Sequence, residues 1–432
     1  MKKKPKILML GWEFPPVING GLGVACHDLC QALTAHAKII MVIPKNTVGF
    51  KMDNCELIGM NNLNFSTLPS IPEAYDHNFF EDVNYISADL NPYSSTIIGK
   101  KTIHAIKHDD RNYQPVAGNT TTQFNIDELY GNDLIEKVNQ FSNIAAQFAL
   151  TKDFDVIHAH DWMTMVAGMK IKALTGKPLV VHIHSLEIDR GGEDSRGRVF
   201  ELEKLGMETA DLILPVSEYT GNIIRKYYGI PPEKIVPIHN GIRPVKPFRS
   251  KKPFSEKLVV FVGRLTRQKG PSRLVDIASK VIQHSPDVRF AIAGTGEKSE
   301  SMLHKSSSYG IGNRFHLTGF QSIEQVRYLL SMADAYCMPS VSEPFGLSAV
   351  EAVQFGVPCI ISKQSGVAEV LKGAMKFDYW DVDRAAGYII NALHNEVLKK
   401  KIVKDAYLDL KNISWELSAE KVIEAYSDFN LY

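Results

Sequence analysis

A chain of 432 residues is too long for one hydrophobic core and is expected to form two domains. With 44% hydrophobic and 22% charged residues it has an ordinary soluble globular composition, and a net charge of +1 gives no general case for nucleic acid as a partner. No stretch reaches the roughly 18 apolar residues of a membrane span. Five scattered cysteines, Cys26, Cys30, Cys55, Cys337 and Cys359, form no CxxC. An odd count behind a short apolar start at Ile7–Leu10 fits a reducing, cytoplasmic setting. The basic clusters Lys2–Lys4, Arg249–Lys252 and Lys399–Lys401 read as solvated ends or linkers, with peripheral membrane contact as the alternative.

In chain order, short β-rich runs alternate with helical patterns. Predicted strands are Ile7–Leu10, Ile39–Ile43, Val156–Ala159, Leu179–Ile183 and Leu212–Pro215 in the first half. The second half offers Leu258–Val262, Arg289–Ala293, Phe315–Leu317, Ala335–Met338 and Cys359–Ser362. That alternation argues for parallel sheets covered by helices. Residues 61–123 are irregular and polar, which suggests a lid or acceptor surface added to the first domain. Three prolines and several cations between Arg243 and Pro253 mark a linker. The expected units are therefore 1–247, 248–411 and a terminal helix over 412–432. A cleft between two such domains would take a ligand at the carboxyl ends of the strands.

Several segments carry chemistry. Gly11–Gly23 follows the first strand and is expected to open a helix at about Val24, with Gly20 and Gly21 letting backbone amides approach a phosphate. The GxGxxG spacing is absent, which disfavours a nicotinamide dinucleotide. Two HxH pairs, His158/His160 and His182/His184, end neighbouring strands. Alternate strand residues share a face, so zinc is one reading; the sequence shows no third ligand at metal spacing, and hydrogen-bonded strand-end histidines are the other. In Gly263–Gly270, Arg264 and Lys269 stand five apart in a loop and can converge on one polyanion, as a diphosphate leaving group requires. Gly294 and Gly296 form a further strand-end glycine loop.

The densest signal is Ser342-Glu343-Pro344-Phe345-Gly346-Leu347-Ser348-Ala349-Val350-Glu351. Pro344 suits the first turn of a helix, which would leave the amides of Phe345, Gly346 and Leu347 as free donors at its positive end. If the whole stretch were helical, the two glutamates would lie about 12 Å apart at about 1.5 Å per residue. A glycosidase pair needs about 5–10 Å. Two ends of one long polyhydroxylated ligand suit the spacing better.

That string resembles the Glu-x7-Glu signature of retaining glycosyltransferases with the GT-B fold, especially family 4. The Arg264–Lys269 loop, Gly294–Gly296, both HxH segments and Ser365-Gly366-Val367-Ala368-Glu369 resemble the same family in order, with similarity to glycogen and starch synthases. The resemblance implies two Rossmann-like, doubly wound domains and a hexosyltransferase using a nucleotide-diphosphate sugar as donor and a saccharide as acceptor. By it, Arg264 and Lys269 hold the diphosphate, Glu343 and the amides of Phe345–Leu347 hold the donor sugar, and Glu351 holds the ribose. Gly20, Gly21, Gly294 and Gly296 line the donor site. His184 lies beside the reacting sugar carbon, with His160, Asp161 and Trp162 on the acceptor side. Such enzymes deliver the acceptor on the leaving-group face, so no separate base is demanded, and neither metal nor cofactor is expected. Bacterial glycogen synthases carry a lysine in K-x-G-G-L where this chain has Ile18. That departure leaves cell-surface polysaccharide or glycolipid assembly open beside α-glucan synthesis. A sugar-nucleotide epimerase of the same fold is the alternative from another class. Asp381 and Asp383 read as helix-start acids rather than a metal-binding DxD.

Overall fold

The computed structural model describes residues 4–18, 20–47, 50–71, 128–131 and 133–429. Most of the irregular segment 61–123 lies outside the described residues. Six parallel strands build the first sheet: β1 Lys6–Leu10, β2 Lys38–Ile43, β3 Cys55–Gly59, β4 Val156–His160, β5 Leu179–Ile183 and β6 Leu212–Pro215. Their spatial order is β3-β2-β1-β4-β5-β6. Six more build the second: β7 Lys257–Val262, β8 Val288–Ala293, β9 Phe315–Gly319, β10 Ala335–Met338, β11 Cys359–Ser362 and β12 Met375–Phe377. Their order is β12-β11-β10-β7-β8-β9, the same winding traced from the other edge. This is the two-domain α/β architecture with doubly wound sheets that the sequence implies.

Central strands are buried along their whole length because helices cover both faces of each sheet. Every residue of β4, β5, β6, β10 and β11 is buried. In both domains the strand order reverses between the first and fourth strands, β1/β4 and β7/β10. Loops leaving neighbouring strands there part in opposite directions and open a crevice. The chain's chemistry-bearing loops follow β1, β4, β5, β7, β8 and β10, around these two crevices. The helix Trp415–Ala425 returns to the first domain, where Trp415, Ala419, Val422 and Tyr426 join the core under Gly21–Leu33.

Residues 243–253 have no regular secondary structure; Arg243 pairs with Asp28 of the first domain, and Val245 and Arg249 are strapped to the second. Arg249 donates to the carbonyls of Ala333 (3.2 Å) and Gly356 (2.9 Å), and Val245 N–H to the side chain of Gln354 (2.8 Å). A more specific seam joins the domains beside the crevices. Ser217 caps the helix Glu218–Ile223 by accepting from Thr220 N–H at 3.0 Å, and its hydroxyl donates to the Pro344 carbonyl at 2.6 Å. The Glu369 carboxylate, from the second domain, accepts from the amides of Glu218 (3.0 Å) and Tyr219 (2.6 Å). His239 Nε2 lies 2.6 Å from the same carboxylate. A carboxylate at a helix N-terminus satisfies otherwise unpaired amides and sits at the favourable end of the dipole.

Replacing Glu369 by alanine strips those amides and His239 of their acceptor. The expected cost is about 1.5–3 kcal/mol, read as a lower denaturation midpoint with the two domains unfolding in resolved steps. An unchanged, single transition would mean the seam does not couple them.

Candidate active site

The site is assembled from loops at the carboxyl ends of strands. After β7, Gly263–Lys269 runs into a short 3-10 turn, Arg267–Lys269, and then the amphipathic helix Pro271–His284, with Pro271 at its first position. Gly270 makes the junction with φ +67°, and a β-carbon there would stand 2.0 Å from the Pro339 carbonyl oxygen. Only glycine accepts both demands. The approach brings the β7 and β10 loops together: Val341 N–H donates to the Gln268 carbonyl at 2.8 Å. Across it, Lys269 Nζ meets Glu343 Oε2 at 2.5 Å, and Ser340 donates to the same oxygen at 3.2 Å. Glu343 is 5% exposed, so this ion pair is largely shielded from solvent.

The glycine loop after β8 packs on the same turn. Leu265 N–H donates to Thr295 (2.9 Å), and Gly294 N–H to Gly319 (2.8 Å). Gly294 has φ +146°, and a β-carbon on it would lie 2.0 Å from the Gly263 carbonyl oxygen. Arg264, Lys269, Gly294, Gly296 and Glu343 therefore belong to one rim.

The helix after β10 differs from the sequence expectation. It spans Leu347–Gln354, with Gly346 as its cap at φ +112°. Pro344 stands outside it because its carbonyl is taken by Ser217 and the backbone of Glu343 pairs with that of Ser365. The helical spacing assumed for Glu343 and Glu351 thus fails over its first half. The amides of Phe345, Gly346 and Leu347 still find no acceptor among the described residues. Glu351 is held up to about 7 by burial, against the pull of Arg327. Asp381 caps the helix Val382–His394 by accepting from Arg384 N–H at 3.1 Å.

In the first domain, the glycine loop after β1 enters its helix at Gly21 rather than Val24, with Gly20 as the cap. Gly20 N–H donates to Glu13 at 3.2 Å. Ile18 packs against the position of Gly23 in the first helical turn, so the loop presents an aliphatic side chain there.

The four histidines of β4 and β5 form a stacked block. His158 and His160 stack at 4.6 Å between centroids, His182 and His184 at 4.7 Å. His160 Nδ1 lies 2.9 Å from His184 Nε2, and His158 Nε2 3.1 Å from His182 Nδ1. Burial holds all four imidazoles neutral, with His158 and His184 near 3. Asp161, at φ +58°, accepts from His184 N–H at 2.7 Å and fixes the turn that carries this imidazole. Burial raises the Asp161 carboxyl to about 7.

His160, Asp161 and Trp162 were assigned above to the acceptor side. They are 0%, 5% and 1% exposed, and of the three His160 and Asp161 bond the His184 side chain and backbone. Sequence reasoning missed Asp189 and Tyr219. Both bond the Ser342 hydroxyl, Tyr219 at 3.0 Å, and so connect the His184 turn to the Glu343 loop. The Ser217–Thr220 pair signals a helix cap, but nothing local signals its partner 127 residues away.

Two family models match the chain: Glycosyltransferase Family 4 over residues 109–246 and Glycosyl transferases group 1 over 243–409. An uncharacterized glycosyltransferase of Methanocaldococcus jannaschii is 26% identical, with 98% of this chain and 97% of that protein covered. Glycogen synthase of Mycobacterium tuberculosis is also 26% identical, covering 85% of this chain and 80% of the synthase. Among solved structures, sucrose-phosphate synthase from Thermosynechococcus elongatus superposes with a TM-score of 0.70 at 17% identity, covering 98% and 99% of the two chains. Anabaena HepE, solved with UDP and glucose, gives 0.61 at 16% identity, covering 98% and 99%. With paired Rossmann-like sheets and both halves matched, the chain belongs to the GT-B glycosyltransferases of the family 4 type.

Proposed function

We propose that this chain is a retaining hexosyltransferase that moves a sugar from a nucleotide-diphosphate donor to a saccharide acceptor. The observation that carries the reading is the Lys269–Glu343 pair at the β7/β10 crevice, a shielded cation and carboxylate beside unpaired amides. A donor diphosphate would draw the Lys269 ammonium off Glu343 and, with Arg264, offset the charge that develops as the glycosidic bond breaks. Glu343, freed of its partner, accepts from sugar hydroxyls, while the amides of Phe345–Leu347 donate to sugar or phosphate oxygens. Glu351 takes the ribose hydroxyls. Gly20 and Gly21 close the donor site from the first domain.

His184 stands beside the anomeric carbon in this reading. Kept neutral by burial, its imidazole adds no positive charge next to a developing oxocarbenium ion. The leaving diphosphate accepts the proton of the incoming hydroxyl, and the two cations do the work that a metal would otherwise supply.

HepE was solved with UDP and glucose, and other relatives are named glycogen synthase, alpha-maltose-1-phosphate synthase and sucrose-phosphate synthase. Those names favour glucosyl transfer and make an α-glucan the first acceptor to try. The aliphatic Ile18 in the opening loop favours a second reading, a precursor of cell-surface polysaccharide or glycolipid. No described helix is long and apolar enough to cross a membrane.

The test is nucleotide release from ADP-, UDP- and GDP-sugars, with and without maltooligosaccharide and with EDTA. One donor should be consumed in an acceptor-dependent, EDTA-resistant way, and Lys269→Ala should lower turnover by about 100- to 1,000-fold. Epimerisation of a donor with no acceptor present would overturn the reading.

A pH dependence follows from Glu351. Ribose hydroxyls bind the ionised carboxylate, whereas the empty site holds the acid protonated below about 7. Donor binding must then expel a proton. Affinity for an intact nucleotide sugar should fall as pH drops below 7, approaching about tenfold per unit, and Glu351→Gln should flatten the profile.

A further inference from the structure

We propose that Cys26, His160 and His184 form a binding site for a thiophilic divalent cation such as Zn²⁺, and that the bound ion withdraws His184 from sugar transfer. The second half rests on the role given to His184 above; the first does not. One thiol and two imidazole nitrogens, brought together from the helix Gly21–Leu33, the end of β4 and the turn after β5, lie within 4.8 Å of one another. Thiolate and neutral imidazole are the ligand types of zinc, and three protein ligands leave a fourth tetrahedral position for water or solute.

Two further observations bear on this set, and the second separates it from its neighbour. Nε2 of His160 and Nδ1 of His184 are buried and have no hydrogen-bond partner among the described residues. Unpaired buried nitrogens of this kind are rare and costly. A second cluster, His158, His160 and His182, is equally compact. There, however, both nitrogens of His158 are already engaged, by Tyr426 and by His182. In the Cys26 set His160 and His184 each keep one unengaged nitrogen, their other two being bonded to each other. Burial first, and then the nearby carboxyl groups of Asp161 and Glu13, hold the Cys26 thiol well above its ordinary range, so the thiol is protonated until the cation displaces its proton. His184 is partly exposed and gives the ion its way in from the cleft. Binding replaces the Cys26 S–H bond by a metal–sulfur bond and releases one proton to solvent.

The test is titration of the purified full chain with Co²⁺, whose thiolate complexes show a sulfur-to-metal charge-transfer band. The wild type should develop the band. Cys26→Ser should lose it, and Cys30→Ser, one helical turn away, should keep it. Zn²⁺ should inhibit sugar transfer by the wild type, and Cys26→Ser should need at least about tenfold more ion for half-inhibition, with basal turnover unchanged. Absence of the band in the wild type, or its persistence in Cys26→Ser, overturns the site. Transfer activity without the band defeats the metal site and leaves the proposed function standing. A Cys26-dependent band in a chain that consumes no nucleotide sugar does the reverse.

Discussion

Four consecutive residues after β10 are gripped from both domains at once. The Ser342 hydroxyl bonds Asp189 and Tyr219 of the first domain, and the Glu343 side chain holds Lys269 of the second. The Pro344 carbonyl accepts from Ser217 of the first domain, and that of Phe345 from Val367 N–H of the second. Because the loop is fixed on both sides, it cannot enter its helix before Gly346. The unpaired amides and Glu343 therefore face the crevice rather than the body of a helix. The Glu369 seam beside it sets how the sheets meet.

Charge in this crevice is stored in neutralised form. Lys269 and Glu343 offset each other, burial keeps Glu351 and Asp161 near 7, and the histidine block is uncharged. Breaking one partner away from a buried ion pair is costly unless a new partner replaces it. A diphosphate on Lys269 and sugar hydroxyls on Glu343 would replace both partners in the same event. Such an exchange couples the two ends of a donor and discriminates against fragments that supply only one.

Much of the fold was legible because buried parallel strands are short, continuous apolar runs between helical patterns. All ten strands read from the sequence are present. Two were missed, β3 (Cys-Glu-Leu-Ile-Gly) and β12 (Met-Lys-Phe), and both are sheet edges. Only one residue of each is fully buried, so neither shows the uniform apolarity of a central strand. The site was legible where glycine and charge fall within one loop, as in Gly263–Gly270. It was illegible where contacts join distant segments. Asp189 lies 153 residues from Ser342, and Cys26 comes near His160 only through the winding of β1 against β4. The helix starts at Gly21 and Leu347 were misplaced because a glycine before a helix permits either entry or continuation, and tertiary bonds decide which.

In the proposed reaction, transfer takes place within one crevice and the leaving diphosphate itself takes the acceptor proton. The direct measurement is the anomeric configuration of the first-formed product, by proton NMR during turnover of an α-linked nucleotide sugar. An α-linked product from the outset is the predicted result. A β-linked product would require a base on the opposite face and would contradict the mechanism derived from Lys269, Glu343 and His184.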